Sequence, residues 1–154
     1  MRRKTLEIIA TDRKSIEAGF VIRSSYVVIS IRDPDKKPAK VRKQGGLKAV
    51  LHLAFHDAEP ATSMKLPDDI ELISDEQAQQ IWTFVGLHHA EVGAIVVHCE
   101  QGMSRSPAVA AAISHGLGLD EARFWREYQP NRYVYEKVRA MGQIQSRKRA
   151  EKSL

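Results

Sequence analysis

The stretch Ala94-Ile95-Val96-Val97-His98-Cys99-Glu100-Gln101-Gly102-Met103-Ser104-Arg105-Ser106-Pro107 decides how this chain reads. Residues 94–98 form a short apolar, β-branched run, the pattern of a strand buried on both faces. Pro107 suits the first turn of a helix that Gly116 would end. Between strand and helix lie the chain's only cysteine, a glycine, and an arginine six positions after the cysteine. That order gathers backbone N–H groups and a helix dipole around one point, a nest for an anion. The N–H groups of Glu100, Gln101, Gly102, Met103, Ser104 and Arg105 would line it, and Gly102 permits the tight path that turns them inward. Arg105 adds a planar fork that can grip two phosphate oxygens. The same positive field favours the thiolate of Cys99, which at such a loop becomes a nucleophile in position.

Outward from this loop, strands and helices alternate. Leu6 to Ala10 is a short apolar run, after which Thr11 or Asp12 can cap a brief helix ended by Gly19. Ser25 to Ile31 reads as a strand stopping at the turn signal Asp33-Pro34. The basic segment 36–43 and Gly45-Gly46 read as an exposed loop. Ala49 to Phe55 is a near-continuous apolar run, expected to be a strand buried on both faces. A long loop, 56–73, precedes the capping box Ser74-Asp75-Glu76-Gln77 and a helix with Ala78, Ile81, Trp82, Val85 and His89 at helical spacing. Two further helices are expected over Asp120–Tyr128 and Asn131 to about Arg147. Trp82, Phe84, Phe124 and Trp125 fall on these helices as core candidates. The rhythm implies an α/β fold, a mainly parallel sheet of four to five strands with helices on both faces. Ligands of such sheets bind outside the carboxyl ends of strands, where both His98-Cys99 and His56-Asp57 fall.

With 154 residues, the chain is expected to form one domain over 1–154, with a basic helix end or tail at about 145–154. Hydrophobic content of 43% and charged content of 28% are ordinary for a soluble globular protein. A single cysteine allows no internal disulfide and suits a reducing compartment. Residues 1–14 carry no apolar core long enough for a signal peptide, and no run approaches a membrane span. The expected location is the cytosol, without membrane attachment. A net charge of +5 and pI near 9.4 favour anionic partners in general. Much of the excess lies late, from Lys137 to Lys152, and reads as a solvated helix end rather than a nucleic-acid site. His88 and His89 are adjacent and do not face each other on a helix, so no metal site is expected there. No organic cofactor is implied either.

The segment His98 to Ser106 resembles the His-Cys-x5-Arg-Ser/Thr signature of the cysteine-dependent protein tyrosine phosphatases. It looks closest to the dual-specificity branch, where Ser-Arg-Ser-Pro commonly ends the loop. A looser likeness runs from Ala49 to Ala140, including Pro130-Asn131 before the last helix. The resemblance implies that Cys99 forms a phosphocysteine intermediate and that Arg105 binds phosphate. It further implies that Ser106 hydrogen-bonds the sulfur and helps it leave, and that His98 positions the loop. Ser104 is expected to contribute mainly its N–H, and Asn131 to cap the last helix and brace the loop. The implied substrate is a phosphorylated protein: phosphotyrosine, with phosphoserine and phosphothreonine as further esters.

Ester cleavage near neutral pH needs a proton for the leaving oxygen and then a base for water, and one carboxyl can serve both steps. Asp57 is the candidate, at the end of a strand expected beside that of Cys99. It lies 42 residues before Cys99, longer than compact dual-specificity members have, which leaves Asp68 and Asp69 as rivals. The loop lacks the lysines that draw highly phosphorylated lipids in some relatives, and Glu100 is expected to repel such head groups. RNA 5′-phosphates remain the nearest alternative substrate, given the positive charge. A phosphate-binding module without turnover and a sulfur-transfer or arsenate-reducing enzyme are the rivals of other classes. The last usually needs additional cysteines.

Overall fold

The computed structural model describes residues 5–19, 22–60 and 66–152. The element order is β1 (Glu7–Asp12), α1 (Arg13–Ala18), β2 (Tyr26–Arg32), β3 (Leu47–Ala54), α2 (Asp75–His88), β4 (Ala94–Cys99), α3 (Arg105–Gly116), α4 (Ala122–Glu127) and α5 (Arg132–Lys152). The four strands are all parallel in the order β1-β4-β2-β3. This is the expected α/β sheet flanked by helices.

Side chains that alternate along β2 and β4 build two cores. Val27, Ile29, Ile31, Ile95, Val97 and Cys99 face the larger one, which α2, α3, α4 and α5 cover. Tyr26, Val28, Ala94 and Val96 face a smaller one, closed by Ile16 of α1 and by Val41 of the basic loop. Every residue of β4 is buried, because β4 is central and both its faces are roofed.

Local chemistry fixes the ends of the elements. The Asp12 carboxylate accepts from the Ser15 N–H at 2.7 Å, and Gly19 closes α1 at φ 97°. Ser74 and Gln77 form the reciprocal capping box of α2. Asn131 Oδ1 accepts from the Val134 N–H at 3.0 Å and so caps α5. That helix runs through the basic segment to Lys152, beyond the expected end near Arg147.

Two expectations fail. The strand over 49–55 was to be buried on both faces beside the Cys99 strand. Instead β3 is the sheet edge, pairs with β2 alone, and is largely half-buried. Leu51 and Leu53 pack on the larger core and Leu47 and Val50 on the smaller, but with a single strand neighbour all except Leu53 stay partly open. Trp125 was a core candidate but is 37% exposed, since the six-residue α4 turns only Phe124 inward. Among the described residues no helix is long and apolar enough to cross a membrane.

Trp82 keys α3 and α5 together. Its indole N–H donates to the Val138 carbonyl at 2.7 Å, and its ring lies where a methyl on Gly116 or Gly142 would sit. Gly116→Ala is expected to destabilise the fold by about 1–2 kcal/mol, because overpacking outweighs the propensity gain of alanine. Urea unfolding with an unchanged slope measures this.

Candidate active site

Cys99 ends β4 and is 2% exposed. Its Sγ receives the Gly102 N–H at 3.2 Å and lies 3.2 Å from Ser106 Oγ. Ser106 Oγ also donates to the Thr11 carbonyl of β1 at 3.2 Å. One hydroxyl proton cannot serve both acceptors fully. With a thiol, Sγ–H can donate to Ser106 while Ser106 donates to Thr11; with a thiolate, the Ser106 proton turns to sulfur. Gly102 sits at φ +74°, and a Cβ there would come within 3.0 Å of the Thr11 and Asp12 backbone. Only glycine suits both the left-handed turn and the close approach to β1.

His98 is fully buried behind the loop. Its Nδ1 lies 3.2 Å from the Cys99 carbonyl and its Nε2 lies 2.6 Å from Ser30 Oγ on β2. Burial holds its pKa below the ordinary histidine value, which favours the neutral ring. A carbonyl can only accept, so Nδ1 carries the proton and Nε2 accepts from Ser30. The ring thereby ties β2 to the start of the loop.

Arg105 opens α3 and is 5% exposed. Its Nη1 donates to Asp33 Oδ1 at 2.7 Å and to the Phe55 carbonyl at 2.7 Å. Its Nε–H is buried and has no hydrogen-bond partner among the described residues. Such a donor is costly to leave unmet. The guanidinium is therefore clamped through Nη1 on one side.

Asp33 follows β2, the actual neighbour of β4 on this side. In the sequence, Asp33-Pro34 signals only a turn. Lys36 Nζ stands 3.9 Å from Asp33 and 3.8 Å from Glu100, while Arg13 reaches Glu100 at 3.0 Å. Arg13, Glu100, Lys36, Asp33 and Arg105 thus form one chain of alternating charge across the mouth. Glu100, expected to repel anionic head groups, is paired on both sides.

Asp57 reaches the loop from the edge strand. Its Oδ1 accepts from Ser104 Oγ at 2.8 Å and from Asn131 Nδ2 at 2.8 Å. Asn131 Nδ2 also donates to the Ala58 carbonyl at 3.1 Å. The Asn131 N–H donates to the Ser104 carbonyl at 3.1 Å, and the Gln129 N–H to that of Met103 at 3.0 Å. The start of α5 is thereby bonded to both the loop and Asp57. Ser104 uses its hydroxyl here, not only its N–H.

These residues surround a cavity of about 370 Å³ lined by Asp33, Lys36, His56, Asp57, Cys99 and Arg105 among others. His56 stands on its rim, its Nδ1 accepting from the Glu71 N–H at 2.9 Å. Asp68 and Asp69 are exposed on a turn closed by Ile70 N–H to the Pro67 carbonyl at 3.1 Å, and neither lines the cavity. Among the described residues no three His, Cys, Asp or Glu side chains converge as metal ligands.

The chain is similar to several solved structures, among them the following three. Human tyrosine phosphatase-like serine/threonine/tyrosine-interacting protein is 20% identical, with 78% of each chain covered and a TM-score of 0.48. Human DUSP28 is 15% identical, with 92% of this chain and 94% of that one covered and a TM-score of 0.49. Tk-PTP, in its active form, is 16% identical, with 90% and 93% covered and a TM-score of 0.49. At these identities the likeness is one of fold. No family model matches the chain, and no curated protein does.

Proposed function

We propose that this chain hydrolyses phosphate monoesters of proteins, phosphotyrosine foremost, through a cysteinyl-phosphate intermediate. The observation that carries this reading is the convergence of the Cys99 sulfur and the Arg105 side chain on one cavity. Cys99 Sγ receives the Gly102 N–H and lies 3.2 Å from the Ser106 hydroxyl, and Arg105, clamped through Nη1, lines the same cavity. A phosphoryl group there would meet both. Burial of Cys99 at the cavity floor supports a long ester such as phosphotyrosine, with the shorter phosphoserine and phosphothreonine reaching less well.

In the first step the Cys99 thiolate attacks phosphorus, the P–O ester bond breaks, and the leaving oxygen takes a proton from Asp57. Both hydrogen bonds to Asp57 fall on Oδ1, so Oδ2 is the oxygen left to carry that proton. In the second step water attacks phosphorus and gives its proton to the Asp57 carboxylate. The S–P bond breaks, and Cys99 leaves as a thiolate held by the Ser106 hydroxyl and the Gly102 N–H. Arg105 steadies the equatorial oxygens throughout. The steps call on the chain's own groups and water. Its lone thiol suits the reducing cytoplasm.

Release of phosphate from p-nitrophenyl phosphate and from a phosphotyrosine peptide tests the reading, and no release above a Cys99→Ser control would end it. The assignment of the acid has its own test. Asp57→Asn should lower kcat on the peptide by about 10²- to 10⁴-fold and on p-nitrophenyl phosphate by less, because nitrophenolate leaves without a proton. Asp68→Asn and Asp69→Asn should leave both rates within about twofold, and a large fall in either would move the role to that residue.

A further inference from the structure

A second cavity, of about 540 Å³, adjoins the first. Asp57 and Ser104 wall both, so the two meet at the hydrogen-bonded pair that presents the acid. An ester seated on Cys99 has its leaving group beside Asp57. Whatever carries that group continues naturally into this second space.

Besides Asp57 and Ser104, the second cavity is lined by Trp125 and Tyr128 together with Glu59, Gln129, Pro130 and Arg132. Trp125 is exposed yet held. Its indole N–H donates to Glu121 Oε1 at 2.9 Å, and its ring meets Tyr135 edge-on at 5.0 Å. The Tyr135 hydroxyl donates to the same Glu121 oxygen at 2.7 Å, so one carboxylate locks both rings. Tyr128 is in turn stacked on buried Phe124 at 6.5 Å. Rigid, partly exposed aromatics bind with little entropic loss. Asp57 and Glu59 outnumber Arg132 among the lining charges, so the groove does not attract a polyanion.

Resting on the proposed phosphatase reading, the geometry points to this groove as a subsite for the polypeptide beside the phosphorylated residue, with Trp125 as platform for an aromatic side chain. An uncharged peptide with an aromatic neighbour fits such a surface. A nucleic-acid backbone, charged at every residue, does not.

The experiment compares phosphotyrosine peptides in which a phenylalanine is walked through the two positions on each side, with glycine elsewhere. One position should raise kcat/KM about tenfold over glycine. Trp125→Ala should erase that preference while leaving kcat and KM for p-nitrophenyl phosphate within about twofold, and Trp125→Phe should restore most of it. No preference at any position, or a preference that survives Trp125→Ala, would overturn the subsite. So would a 5′-phosphorylated oligonucleotide that outperforms the best peptide in a Trp125-dependent way. A wild-type protein inactive on p-nitrophenyl phosphate would instead sink the phosphatase reading itself.

Discussion

Cys99→Ser is expected to abolish turnover of p-nitrophenyl phosphate, by at least roughly 10⁴-fold, comparable to other single nucleophile losses. The substitution changes one atom in a buried site and leaves the loop backbone, Gly102 and Arg105 in place. What it removes is the nucleophilic sulfur, because a serine hydroxyl is a far weaker nucleophile than a cysteine thiol. Phosphate binding should therefore persist while chemistry stops. Titration calorimetry with inorganic phosphate should give a Kd within a few fold of the wild type. Rapid acid quench of the wild type should trap phosphate on Cys99, and the variant should trap none. This split separates a nucleophile from a phosphate-binding module, in which Cys99→Ser would alter neither binding nor the absent turnover. If turnover is present in the wild type and survives the substitution, the covalent route fails.

The site was legible where its determinants are local. A strand, a glycine-containing loop and a helix start are contiguous from Ala94 to Pro107, so the sequence alone places Cys99 and Arg105 at one sheet edge. What surrounds them depends on strand order, which no short window carries. The apolar run over 49–55 looks the same whether it is central or at the edge, and so it suggests a neighbour of β4. The true neighbour, β2, delivers Asp33 to Arg105. That residue, followed by a proline, gave only a turn signal. Asp57 nonetheless reaches the loop across two strand positions, because Asn131 and Ser104 hold its carboxylate there. Linear spacing could not separate it from Asp68 or Asp69, since the deciding contacts come from Ser104 and from Asn131 at the cap of α5, 47 and 74 positions away in sequence. Trp125 was misread for a related reason. Helical periodicity marks an apolar stripe, but in a helix of six residues it cannot say which side faces the core.

Arg105→Lys is expected to lower kcat/KM by about 10³-fold or more, in the range lost when an arginine that stabilises phosphoryl transfer is removed. Charge alone does not explain that magnitude, because lysine retains it. Geometry does. Arg105 spends Nη1 on Asp33 and the Phe55 carbonyl, at 2.7 Å each, and still lines the cavity beside Cys99. The guanidinium can be anchored and bind phosphate together because its donors are fixed in one plane. An ammonium is a single point. Drawn to Asp33 it leaves the phosphate, and drawn to the phosphate it leaves Asp33 with only Lys36, at 3.9 Å, beside a dianion. Both kcat and KM should suffer. Asp33→Asn makes the comparison complete, since it keeps a side-chain acceptor for Nη1 but removes the charge, and its loss should be far smaller than that of Arg105→Lys. Combining the two should cost less than the product of the single effects, because an ammonium freed from Asp33 can turn fully to the phosphate. Strict additivity would mean that Asp33 does not orient Arg105 and that the clamp is incidental to catalysis.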